Sequence, residues 1–123
     1  MTSRVDAILF RTANPARLAA FYREGFALAP GGMDTDAHTG LRAANTYFGF
    51  DLAPDDETAG GRGAVSVWFT VDDAAATYAR LIGLGALDMM EPDAECSPGE
   101  ILAQVRDPDG NVVGLIQKTG DDA

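Results

Sequence analysis

The chain has 123 residues, 46% of them hydrophobic, and its 19 acidic side chains outnumber nine Lys and Arg to give a net charge of −10. That suits one globular domain with an ordinary core, and the acidity argues against nucleic acid, whose phosphates require a basic face. No apolar run approaches the ~20 residues of a membrane span or a signal peptide's apolar stretch, and the lone Cys96 excludes an intramolecular disulfide and fits a reducing cytoplasm.

Val5 to Thr12 reads as a first strand. Asn14 is a good helix N-cap and Pro15 sits at the first helical position, where its missing N–H costs nothing. The helix is expected to run to about Arg23 and to stop at Gly25. Phe26 to Ala29 reads as a short second strand, and Pro30 to Gly40 as a Gly- and Asp-rich loop holding the only histidine, His38. Leu41 to Ala44 and Thr46 to Leu52 form two antiparallel strands across a tight turn at Asn45. A Pro-, Asp- and Gly-rich linker is expected over 53–63.

The second half repeats this order. Ala64 to Val71 is a strand, Asp72 or Asp73 caps a helix ending near Leu84-Gly85, and Leu87 to Glu91 is a further strand. Pro92 to Gly99 reads as a loop, and 119–123 as an acidic tail. Glu100 to Arg106 and Asn111 to Gln117 pair across Asp107-Pro108-Asp109-Gly110, a tight-turn sequence. The strand–helix segments starting at Ala7 and Ser66 share one pattern, and the order β-α-β-β-β occurs twice. Two such units in one small domain imply pseudo-twofold architecture with a cavity where the halves meet.

Strand phase selects candidate site residues. Val65, Val67, Phe69 and Val71 make one apolar face for packing on helices, which leaves Ser66, Trp68 and Thr70 on the other. A tryptophan between small hydroxyl residues suits a partly wet surface that holds something flat; the alternative is that Trp68 fills the sheet's own concavity or a dimer contact. The same logic sends Gln104 and Arg106 to the concave side. Tyr47, Phe48 and Phe50 lie on the fourth strand, where either phase places at least one aromatic in the cavity; all three in the core is the alternative. Cys96, in a loop with no histidine near it in sequence, is not expected to be a nucleophile.

Ala20-Phe21-Tyr22 behind an Asn-capped helix, the Val71-Asp72-Asp73 opening, the hairpin Arg106-Asp107-Pro108-Asp109-Gly110-Asn111 and the paired units resemble the vicinal oxygen chelate superfamily. That group includes glyoxalase I, extradiol dioxygenases, fosfomycin resistance enzymes and bleomycin resistance proteins. The resemblance spans essentially the whole chain. It implies an α+β fold of two βαβββ modules forming a concave mixed sheet around a cavity, completed by a homodimer.

The superfamily's enzymes bind a divalent metal through His or Gln on the first strand of each module and Glu on the last strand. Carried over, those positions are Ala7, Ser66 and Gly114: a methyl, a neutral hydroxyl and a bare backbone. A metal site needs about three ligands of the imidazole or carboxylate kind, so neither a metal nor any other cofactor is expected. The reading that follows is a cytoplasmic, metal-free protein similar to bleomycin resistance proteins, sequestering a cationic or aromatic small molecule in a dimer cleft. Trp68 would stack on it with Phe48 or Phe50, Asp51, Glu91 or Glu100 would supply negative potential, and Ser66, Gln104 and Arg106 would orient polar groups. One rival is a lyase, isomerase or transferase with a displaced metal or none, using Arg106 with Glu100 or Asp51. Another is a scaffold or regulatory module without a ligand.

Overall fold

The structure, a computed structural model, describes Val5, residues 7–53 and residues 66–120. The expected linker beyond Ala53, the strand positions Ala64 and Val65, and the tail residues 121–123 lie outside the described residues. The chain divides into two compact units, Met1–Gly60 and Gly61–Ala123.

The first unit contains β1 (Ala7–Thr12), α1 (Pro15–Phe26), β2 (Ala29–Pro30), β3 (His38–Ala43) and β4 (Thr46–Leu52). Its sheet has the order β1-β4-β3-β2, with β1 parallel to β4 and the other pairs antiparallel. The second contains β5 (Val67–Thr70), α2 (Ala74–Gly83), β6 (Leu87–Ser97), β7 (Glu100–Arg106) and β8 (Val112–Lys118). Its order β5-β8-β7-β6 repeats the first, parallel pair included. Each unit is therefore one βαβββ module, as the repeated element order predicted, and the fold is the α+β architecture the resemblance implied.

Caps define the helix starts. The Asn14 side chain accepts from the Arg17 N–H at 3.0 Å, ahead of Pro15. Of the two candidate caps of α2 it is Asp73 that accepts, from the Ala76 N–H at 3.0 Å, while Gln117 Oε1 takes the Ala74 N–H at 2.8 Å. Two of the unpaired donors at the start of that helix are thereby satisfied. In α1 the expected stop at Gly25 does not occur. The helix runs through a buried Gly25 to Phe26, whose ring stacks on Tyr22 at 6.2 Å, and Ala27 closes it at φ 54°. Tertiary packing outweighs the ~1 kcal/mol that a helical glycine costs.

Three strand assignments also change. The second strand is only Ala29–Pro30; β3 begins at His38 rather than Leu41, which takes that histidine out of a loop; and β6 continues through Pro92 to Ser97. β6 lies at the sheet edge and carries three register irregularities, the setting in which a sheet tolerates proline.

One face of each sheet packs on its helix. In the first unit Phe10, Phe48, Phe50 and Leu41 meet Leu18, Phe21 and Tyr22 in the core, with the Phe10 and Phe50 rings stacked at 5.0 Å. In the second, Ala103, Val105, Val113 and Leu115 are fully buried, as is Leu81 of α2. The opposite, helix-free face of each sheet carries the groups described next.

Candidate functional site

On the helix-free face of the second sheet the register brings Trp68, Gly114 and Gln104 into one row across β5, β8 and β7. A Cβ built on Gly114 would overlap the six-membered part of the Trp68 indole, nearest Cδ2, Cε3 and Cε2. The ring therefore lies flat on the strand in space that only glycine leaves open. Its Nε1–H donates to Ser66 Oγ at 2.9 Å, which fixes the ring's rotation, and Trp68 remains 38% exposed. The expected phase of Ser66, Trp68 and Thr70 is the observed one.

Arg106 shares this face, opposite Val112, but its Nη1 donates to the Gly110 carbonyl at 2.8 Å, tying it to the hairpin. That turn is organised by Asp107, only 2% exposed, whose carboxylate accepts from the Asp109 and Asn111 N–H groups at 2.9 Å each and from Asn111 Nδ2 at 2.8 Å. The Asp-Pro-Asp-Gly-Asn sequence is thus a structural turn. Glu100 and Lys118 face each other as an ion pair. Hydrogen bonds from Lys118 and then Ser97 hold the Glu100 carboxyl below its usual range, so this group's charge is already compensated.

The first sheet presents a different cluster. His38 and Asp51 are cross-strand partners on β3 and β4. His38 Nδ1 lies 2.5 Å from Asp51 Oδ1, and its Nε2 lies 2.6 Å from the Tyr47 hydroxyl, which is 3.2 Å from the Gly32 carbonyl oxygen. The His38 and Tyr47 rings are nearly parallel, 6° apart in tilt. They too rest over glycines: a Cβ on Gly40 would meet the Tyr47 hydroxyl end, and one on Gly49 would lie 2.9 Å from His38 Cε1 and 2.6 Å from Leu9 Cδ2. Gly49 pairs with Leu9 as Gly114 pairs with Trp68, so the two modules repeat a glycine roofed by a first-strand side chain.

Arg42 stands over the Tyr47 ring at 5.5 Å. Burial first, then Asp34 and Asp51, raise the Tyr47 phenol above its ordinary value, with Arg42 opposing.

Of the residues singled out from the sequence, Trp68, Ser66 and Gln104 come together, Arg106 lies on the same face, and Asp51 belongs to the cluster of the first sheet. Phe48 and Phe50, at 3% and 0% exposure, are core residues beneath the other face, with no free ring surface for a ligand; the aromatic that β4 sends to the helix-free side is Tyr47. Sequence reasoning passed over His38 as a site group and named Tyr47 only as one of three aromatics on the fourth strand, of which at least one would face the cavity. Counting outward from the 44–45 turn pairs 43 with 46 and 42 with 47, and so reaches 38 and 51. Cys96 is exposed, and a hydrogen bond with Asp93 pushes its thiol up, away from thiolate reactivity.

The positions at which the resemblance implies metal ligands do not fit a divalent metal. Ala7 offers a methyl, Ser66 has its hydroxyl engaged by the indole N–H, and any side chain at 114 would collide with Trp68. Among the described residues no group of three or more His, Cys, Asp or Glu is placed to hold a metal ion, and no helix is long and apolar enough to cross a membrane.

Two βαβββ modules of identical strand order are the plan of the glyoxalase-like proteins. The model of the Glyoxalase/Bleomycin resistance protein/Dioxygenase superfamily matches residues 4–115, and the chain belongs to that superfamily. It is similar in fold to a glyoxalase-related enzyme from Fulvimarina pelagi (TM-score 0.80, 20% identity, covering 95% of this chain and 89% of that one). It is also similar to a glyoxalase/bleomycin resistance protein/dioxygenase family enzyme from Burkholderia phytofirmans PsJN (0.81, 20%, covering 94% and 99%). A third similar structure is lactoylglutathione lyase from Agrobacterium tumefaciens (0.68, 18%, covering 94% of each). No curated protein matches the chain.

Proposed function

We propose that this protein is a small-molecule-binding member of the superfamily, which holds a planar aromatic, preferably cationic ligand against Trp68 without a protein-bound divalent metal. One observation carries the reading: Trp68 lies flat on Gly114, so a position at which the superfamily's enzymes place a metal-binding Glu is roofed by an indole. The same arrangement that removes a ligand position leaves part of a fixed aromatic ring facing solvent. Stacking on such a ring is worth about 1–3 kcal/mol, and a cation adds roughly 0.5–2 kcal/mol over a tryptophan face. Gln104, in the same row on β7, offers an amide to a polar edge of the ligand. The preference for a cation rests on the net charge of −10, since Glu100 and Asp51 are each paired within the chain. Homodimerisation, which the resemblance implies, is part of the proposal.

A second reading, an isomerase or lyase working by proton transfer, is favoured by the Asp51–His38–Tyr47 chain, in which a carboxylate orients an imidazole against a phenol. Metal analysis tests the leading reading. Protein purified under mild conditions is expected to contain no stoichiometric Zn, Ni, Mn or Fe, and its melting temperature should not rise when these are added after chelation. A bound equivalent of any of them, or a specific rise in melting temperature, overturns the metal-independent reading.

A further inference from the structure

We propose that His38, Tyr47 and the Gly32 carbonyl form a proton-operated latch on the loop 31–35. Doubly protonated His38 closes the latch, holding the loop against the helix-free face of the first sheet, and neutral His38 opens it.

The argument is a count of protons. The Asp51 carboxylate, 2.5 Å from Nδ1, accepts that ring N–H in both states. The Tyr47 hydroxyl has one proton and two acceptors within reach, His38 Nε2 at 2.6 Å and the Gly32 carbonyl at 3.2 Å. When the ring is neutral, with its proton on Nδ1, the Nε2 lone pair takes the Tyr47 proton and the Gly32 carbonyl receives nothing from Tyr47. When the ring is doubly protonated, Nε2–H donates to the phenol oxygen, whose own proton then turns to Gly32. The raised phenol value keeps Tyr47 protonated throughout, so its single proton is always there to be directed.

The loop is built to respond. Gly32 at φ 86° and Met33 at φ 64° are consecutive left-handed residues, and Met33, which is no glycine, is 72% exposed with little packing to hold it. Hydrogen bonds keep this segment in place: Gly31 N–H to the Gly40 carbonyl at 2.9 Å, Gly40 N–H to Asp34 Oδ1 at 3.0 Å, Thr35 N–H to the His38 carbonyl at 2.8 Å, and Tyr47 to Gly32. Of these, only the last is coupled through Tyr47 to the His38 ring. The charged groups around the imidazole are Asp51 from β4, Asp34 from the loop, Arg42 from β3 and Arg11, the partner of Asp51 on β1.

Nuclear magnetic resonance of the intact chain from about pH 9 to about pH 5 tests the latch. The Gly32 and Met33 amide signals should move with the same midpoint as the His38 ring nitrogens, and amide exchange in the loop, corrected for its intrinsic pH dependence, should slow by about two- to tenfold on protonation, the worth of one hydrogen bond. In Tyr47→Phe the His38 ring should still titrate while the loop signals stay still; His38→Gln should also silence them, which keeps the test alive if one variant does not fold. Loop signals that titrate unchanged in either variant overturn the latch. So do loop signals that stay fixed in the unmodified protein, or a His38 ring that never changes protonation while the protein is folded.

Discussion

Replacing Gly114 with alanine probes the Trp68 platform most sharply, because the structure predicts that the sign of the effect depends on residue 68. The added methyl overlaps three ring atoms, so the indole must lift from the sheet. Forced rearrangement of this kind costs about 1–3 kcal/mol, and breaking the exposed bond from Trp68 Nε1 to Ser66 adds about 0.5 kcal/mol. Against this, alanine is intrinsically better than glycine inside a strand by roughly 0.5–1 kcal/mol. The net expectation is a loss of about 0.5–3 kcal/mol, or a melting temperature lower by about 2–12 °C for a chain of this length. With Trp68→Ala already in place the obstruction is gone, and Gly114→Ala should stabilise by about 0.5–1 kcal/mol. The coupling in the double-mutant cycle is then roughly 1.5–3.5 kcal/mol. Far-ultraviolet circular dichroism through urea unfolding is the suitable assay, since Trp68→Ala removes the single tryptophan. Equal effects of Gly114→Ala in both backgrounds would refute the reasoning.

Other expectations follow from the hydrogen bonds. Asp107→Ala should cost about 3 kcal/mol or more, because three N–H groups lose a buried carboxylate acceptor; a shift in denaturation midpoint equivalent to under about 1 kcal/mol would contradict the assigned role. The Tyr78 hydroxyl donates to Asp88 at 2.7 Å, and that bond, with a smaller contribution from burial, pushes its ionisation up to about 12. A raised value means that the linked stabilisation is fully present below the ordinary 10.0 and is lost as pH rises through about 12. Tyrosinate absorbance in Asp88→Asn should therefore develop at lower pH than in the unmodified protein, and coincident curves would sink the assignment.

Much of this architecture was legible in the sequence because local rules and tertiary needs agree. The caps at Asn14 and Asp73, the proline at the start of α1 and the turn at 107–111 each satisfy backbone groups from side chains a few residues away. β7 was delimited correctly for the same reason, being bounded by turn residues on both sides. What was hidden depends on partners distant in sequence. β3 extends back to His38 only because β4 is there to pair with it, and Gly40, a turn signal by composition, is a strand residue facing Gly49.

Phe48 and Phe50 looked like ligand contacts because the phase of an aromatic run cannot be read without its helix; Leu18, Phe21 and Tyr22 decide it. Trp68 was correctly placed on its face from the alternation of β5. What it rests on became visible only with the parallel pairing of Trp68 to Gly114.

The central claim is that Trp68 is a ligand platform, and its own fluorescence reports on it. Chelator-treated protein would be titrated with bleomycin and a panel of planar cationic aromatics while the emission of the single tryptophan is followed. The account predicts saturable quenching by at least one of them, and affinity weaker by about tenfold or more in Trp68→Ala when binding is measured by calorimetry, in line with the loss of one stacking contact. An emission that stays flat across the panel, or an affinity that survives the loss of the indole, would contradict it.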